Sequence, residues 1–156
     1  MNADQEQNKA PFSGKHAELT HAVIHVFFQV YNELGAGFLE SVYHTALVFA
    51  LREAGMHVES QVAVPVFFRG HTVGEFRADM VVERTLLLEL KAAQAFDRSH
   101  ESQVLNYLHA TPLEVALLLN FGPKAQFKRF VLDNTRKKIR VSPCSSVVLS
   151  PGGVAK

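Results

Sequence analysis

Glu89 and Lys91 stand two residues apart in the apolar stretch from Leu86 to Ala92. Side chains alternate faces along a strand, so Leu86, Leu88, Leu90 and Ala92 share one face. Leu87, Glu89 and Lys91 share the other. In the preceding segment, Phe76, Ala78, Met80 and Val82 are expected on one face, and Arg77, Asp79 and Val81 on the other. A hairpin centred on Arg84 sets Asp79 opposite Glu89, with Cβ atoms roughly 5 Å apart. Two carboxylates so placed repel each other. A divalent cation reverses that sign, because carboxylates are hard oxygen ligands for Mg²⁺ or Mn²⁺. Lys91 on the same face can hold a water or a phosphate oxygen beside the metal. Those are the parts that phosphodiester hydrolysis requires. The plainer reading is a solvated Glu89–Lys91 pair on a strand surface, which contributes little.

The elements that position these residues follow from periodicity. Leu19, Val23, Val26, Phe27, Val30 and Tyr31 recur at helical spacing and predict a helix from about Lys15 to Leu34, closed by Gly35 and Gly37. A second helix is expected from Phe38 or Leu39 to Ala54, with Val42, Leu47, Val48 and Leu51 on its buried side. Gln61–Phe68 reads as a strand, at an edge or bulged because of Pro65. Arg69-Gly70-His71 reads as a turn, and Val73–Glu83 and Leu86–Ala92 as further strands. A helix capped by Asp97 or Ser99 ends near Ala110. Val115–Phe121 reads as a strand covered on both faces, and Gln126–Leu132 as the last strand. The order α-α-β-β-β-α-β-β predicts an α/β fold, helices packed on a central mixed sheet.

The chain has 156 residues and a net charge of +1 with histidines neutral. That suits one domain and gives no bulk signature of a basic nucleic-acid binder. One cysteine, Cys144, excludes an internal disulfide, a Cys-rich zinc site and a CxxC pair. Residues 1–14 read as a disordered leader, 15–132 as the domain, and 133–156 as a mobile tail, basic and then Ser/Pro/Gly-rich. No run approaches the ~20 apolar residues of a membrane span. A cytoplasmic, soluble protein is expected. Phosphate-cradling loops of the ATP or dinucleotide type are absent from the sequence.

At Gly37-Phe38-Leu39-Glu40-Ser41-Val42-Tyr43, Arg77-Ala78-Asp79, Glu89-Leu90-Lys91 and Gln103-Val104-Leu105-Asn106-Tyr107, the chain resembles the GxxExxY proteins of the PD-(D/E)xK nuclease superfamily. Leu118-Leu119-Asn120-Phe121-Gly122 and Lys128-Arg129-Phe130-Val131 extend the likeness, which covers roughly Leu19 to Leu132. The resemblance implies a restriction-endonuclease-like fold and a Mg²⁺- or Mn²⁺-dependent nuclease acting on nucleic acid, DNA foremost. It implies Asp79, Glu89 and the Leu90 carbonyl as metal ligands, with Glu40 reaching the same cleft to help bind metal or water. Lys91 would orient the attacking water, and Gln103 and Tyr107 would contact the substrate strand or brace Lys91. Ala78 replaces the proline of the superfamily's name, and Ala116 stands where glycine is expected. The alternative is a nucleic-acid-binding or protein-interaction module that keeps the fold without efficient cleavage. One site per chain admits a homodimer for cutting both strands.

His21 and His25 have metal-ligand spacing but no third partner, and read as polar-face residues. The aromatic group Phe27, Phe28, Phe67, Phe68 and Phe76 reads as core rather than as a platform for bases. Arg69, Lys124, Lys128, Arg129 and the basic run Arg136–Arg140 are candidate phosphate contacts.

Overall fold

The computed structural model describes residues 14–137, so the leader through residue 13 and the tail from residue 138, with Cys144, lie outside the described residues. Helices α1 (Ala17–Leu34) and α2 (Glu40–Glu53) precede strands β1 (Val58–Phe68), β2 (His71–Val82) and β3 (Leu86–Lys91). Helix α3 (Arg98–Ala110), β4 (Val115–Phe121) and β5 (Ala125–Val131) complete the domain. The sheet runs β1-β2-β3-β4-β5, antiparallel except for the parallel β3–β4 pair that α3 connects. The expected element order and α/β architecture are therefore present. A 3₁₀ turn, Asn134–Arg136, follows β5, and Lys137 Nζ donates to the Thr111 and Leu113 carbonyls at 2.6 Å each.

The sheet separates two cores. Val23, Phe27 and Val30 of α1 and Tyr43, Leu47 and Leu51 of α2 pack on Leu86, Leu88, Leu90, Leu117 and Leu119. On the other face, Val104, Tyr107 and Leu108 of α3 cover Val81, Leu87, Ala116 and Leu118. All seven residues of β4 are buried, as its unbroken apolar run requires. Val42, expected on the buried side of α2, is 39% exposed. Tyr43 takes that role, because its hydroxyl is tied to the preceding loop and turns positions 43, 47 and 51 inward.

The expected alternation along β2 fails at Asp79. Met80 and Val82 lie in the core beneath α1 and α2, whereas Ala78 belongs to the core beneath α3. β1 turns over at the same level, with Val58 in the first core and Val62 and Val64 in the second. Gln61, at φ 55°, is the cause on β1, since a left-handed residue interrupts the pleat. The β1–β2 ladder pairs Ser60 with Met80 and Val62 with Ala78, and skips Gln61 and Asp79 between them.

Candidate active site

The β2–β3 hairpin has the register expected from a centre at Arg84, pairing Val82 with Leu86, Val81 with Leu87 and Met80 with Leu88. Pairing stops there, one step before Asp79 and Glu89. The Leu90 N–H, which a continued ladder would use, donates instead to Asp79 Oδ2 at 2.8 Å. A strand residue's N–H and C=O face the same neighbour, so the Leu90 carbonyl is directed at the same notch. β3 continues to pair with β4 as far as Lys91 and Asn120, which keeps the far wall of the notch straight.

Glu89 projects into this notch and is only 3% exposed. That burial excludes the solvated surface pair. Its Oε2 is buried without a hydrogen-bond partner. Loss of water, then the charge of Asp79, push the Glu89 carboxyl up to about 9, against the opposing pull of Lys91. A buried acid with a free oxygen beside a second carboxylate is a site short of positive charge. A hard divalent cation fits the chemistry of that donor set, and Asp79, Glu89 and the Leu90 carbonyl are the oxygens that would hold it. Among the described residues, no three His, Cys, Asp or Glu side chains form a ligand group by themselves. Glu40, exposed at the first turn of α2, is not gathered into one group with the pair. Partial desolvation raises its pKa, Lys91 opposes the rise, and Asp79 reinforces it.

Gln103 and Tyr107 meet on one face of α3, as their four-residue spacing requires. Gln103 Nε2 donates to the Tyr107 hydroxyl at 2.8 Å, and that hydroxyl donates to the Arg77 carbonyl at 3.2 Å. Burial, more than the nearby charges of Glu89 and Asp79, keeps the phenol neutral by raising its pKa. The pair thus ties α3 to β2 two residues before Asp79. Asp97 is the cap of α3, accepting from the Ser99 and His100 amides.

A match to the PD-(D/E)XK nuclease superfamily spans residues 17–130, from α1 into β5, and includes Asp79, Glu89 and Lys91. The chain belongs to the PD-(D/E)XK nuclease superfamily. No curated protein matches it. The crystal structure of SSO0001 aligns over 88% of this chain and 77% of its own at 16% identity, with a TM-score of 0.48. Among the described residues, no helix is long and apolar enough to cross a membrane.

Three residues support this site: His44, which no motif marked, and Asn120 and Gly122, whose motif was noted without a task for either. His44 Nε2 lies 3.1 Å from the Asp79 carbonyl oxygen, where the ring N–H can donate to a group that the ladder leaves unpaired. Its signal was its place four residues after Glu40, hence on the same face of α2. Asn120, fully buried, forms a two-way amide pair with Ala93, accepting its N–H and donating to its carbonyl at 2.9 Å each. One polar residue in an apolar strand was the available sign. This pair fixes the chain two residues beyond Lys91. Gly122 completes the clamp, because a Cβ there would meet the Ala93 carbonyl oxygen at 2.1 Å.

Tyr43 explains the loop before α2. Its hydroxyl donates to the Gly35 carbonyl at 2.6 Å and accepts from the Phe38 N–H at 3.1 Å. Its ring stacks on Phe121 with centres 4.4 Å apart. Gly37, at φ 109°, supplies the conformation that lets the loop close before Glu40 opens the helix. Among the described residues, His21 and His25 join no group of three potential ligands, and His25 meets Gln29 at 3.2 Å.

Proposed function

We propose that this protein is a nuclease that hydrolyses nucleic-acid phosphodiester bonds, DNA foremost, with Mg²⁺ or Mn²⁺. The observation that carries the reading is the buried, unpartnered Glu89 Oε2 beside Asp79, with Lys91 following on the same strand. In this reading Asp79, Glu89 and the Leu90 carbonyl hold the cation, and Glu40 reaches it or its water from α2. The bound cation supplies charge neutralisation at the phosphate and acidifies water. Lys91 orients the attacking water and faces the charge that develops on the phosphate. Gln103 and Tyr107 hold β2 against α3 and border the path of the substrate strand.

The motif Gly37-x-x-Glu40-x-x-Tyr43 further places the protein, in our reading, among the GxxExxY proteins. The bonds of Tyr43 to Gly35 and Phe38 support this, since they give each named residue a structural task. A cytoplasmic enzyme that acts as a homodimer on duplexes is consistent with one site per chain.

The test is cleavage of labelled single- and double-stranded DNA and RNA with Mg²⁺ or Mn²⁺, alongside a Lys91→Ala protein. Metal-dependent cleavage that disappears in the variant establishes the reading. Equal cleavage by both proteins, or none by either on any substrate, overturns it.

A further inference from the structure

The β1–β2 hairpin continues well beyond the body of the sheet. β3 pairs only with the Val82 end of β2, so from Ala63 to Arg77 the two strands have each other as sheet partners. From Phe76 to the tip at His71 this arm extends about 17 Å, at ~3.4 Å per residue. The tip is the tight turn Arg69-Gly70, with φ 49° and 80°.

Aromatic residues that sequence alone assigns to the core are exposed on this arm. Phe27 is buried, but Phe68 is 57% exposed and Phe76 41%, with Val73 at 61% between them in sequence. An arm only two strands thick has no second layer to cover such side chains. The Arg69 guanidinium sits 4.9 Å from the centre of the Phe68 ring. At the base, Arg77 contacts the Gln61 carbonyl at 3.5 Å, two residues before Asp79. Arg69 and Arg77 outnumber the arm's single acid, Glu75. The arm is also continuous with the site, since the Phe76 ring lies 5.6 Å from that of Tyr107, whose hydroxyl holds the Arg77 carbonyl.

We infer that the β1–β2 arm binds a single-stranded segment of nucleic acid, Phe68 and Phe76 stacking on unpaired bases and Arg69 meeting a phosphate. Stacking on an exposed ring requires a free base face, which a duplex offers only at its ends. The arm thereby leads a strand toward Asp79 and Glu89. This inference rests on the nuclease reading for its direction, but it concerns binding and is measurable without cleavage.

The experiment is fluorescence anisotropy of a labelled oligo-dT and of a blunt duplex, in EDTA, at several salt concentrations. Wild type, Phe68→Ser, Arg69→Asn and Lys91→Ala are compared, with thermal melts confirming that each is folded. Phe68→Ser is expected to weaken oligo-dT binding by about tenfold or more, in line with the loss of one stacked base. Arg69→Asn is expected to lower the salt slope by about one, the signature of one phosphate contact. Unchanged oligo-dT affinity in both arm variants overturns the inference, and leaves the nuclease reading intact if wild type still cuts and Lys91→Ala does not. Equal weakening on oligo-dT and duplex overturns the unpaired-base specificity. A dimer that becomes monomeric in Phe68→Ser, with affinity unchanged, reassigns the arm to contact between copies and overturns it as well.

Discussion

The Asp79 carboxylate accepts the Leu90 N–H at 2.8 Å, occupying the bond that a continued β2–β3 ladder would have made. One side chain thus ends the strand pairing and marks the notch into which Glu89 projects. The sheet is opened at the residue that we propose as a metal ligand. Side chains meet the backbone groups that the interrupted ladders free, Asp79 at the Leu90 N–H and His44 Nε2 at the Asp79 carbonyl, while Gln61 beside them takes a left-handed φ of 55°.

The state of Glu89 makes stability depend on pH in a defined direction. Its folded carboxyl is raised from 4.5 to about 9, chiefly by burial. The unfolded chain therefore loses this proton first, and the stability that Glu89 contributes is full below about 4.5 and falls as pH rises toward 9. Metal-free wild type should melt lower at about pH 8 than at about pH 5. Glu89→Gln, which cannot ionise, should flatten that slope, each kcal/mol recovered raising the melting temperature by about 3–5 °C. Parallel pH slopes in the two proteins would contradict this account.

Mn²⁺ should reverse the effect. Binding needs Glu89 ionised, so it should release a proton, and affinity should rise by up to about tenfold per unit as pH climbs toward 9. Titration calorimetry in two buffers of different ionisation enthalpy counts that proton. Mn²⁺ at a hundredfold excess over its dissociation constant should stabilise wild type by about 2.7 kcal/mol. Asp79→Asn should lose most of this, and a full Mn²⁺ shift in that variant would remove Asp79 from the ligand set.

Tyr43→Phe removes one hydroxyl and leaves the Gly35 carbonyl and Phe38 N–H without their partner. The expected cost is about 1–3 kcal/mol in a denaturant melt, because the partners lie partly buried. Nuclease activity should fall further than stability explains, since the loop leads into Glu40. Activity equal to wild type in the folded variant would mean that the loop does not set the position of Glu40.

Gly122→Ala tests the clamp beyond Lys91. A methyl group there meets the backbone carbonyl of Ala93 at 2.1 Å, and backbone cannot swing aside as a side-chain tip can. A loss of about 1–3 kcal/mol is expected from overpacking. Because the displaced carbonyl is the acceptor for Asn120 Nδ2, cleavage should drop with it. Gly74→Ala, where a Cβ meets nothing within 4 Å, serves as the control and should leave the core unchanged.

Much of the fold was legible because periodicity is local. The apolar stripe of α1, the unbroken run of β4 and the two-residue spacing of Glu89 and Lys91 each depend on near neighbours in sequence. Those signals determined the element order, the hairpin register about Arg84 and the residue types gathered at the notch. Only the tertiary structure decided the rest. Whether Glu89 is a solvated surface acid or a buried one depends on α3 and β4 closing over it. Whether Phe68 and Phe76 are core or surface depends on how far the arm outruns its neighbours. His44 reaches Asp79 across 35 residues, and Asn120 reaches Ala93 across 27. Such contacts leave no period in the chain, because their partners become neighbours only when the layers pack.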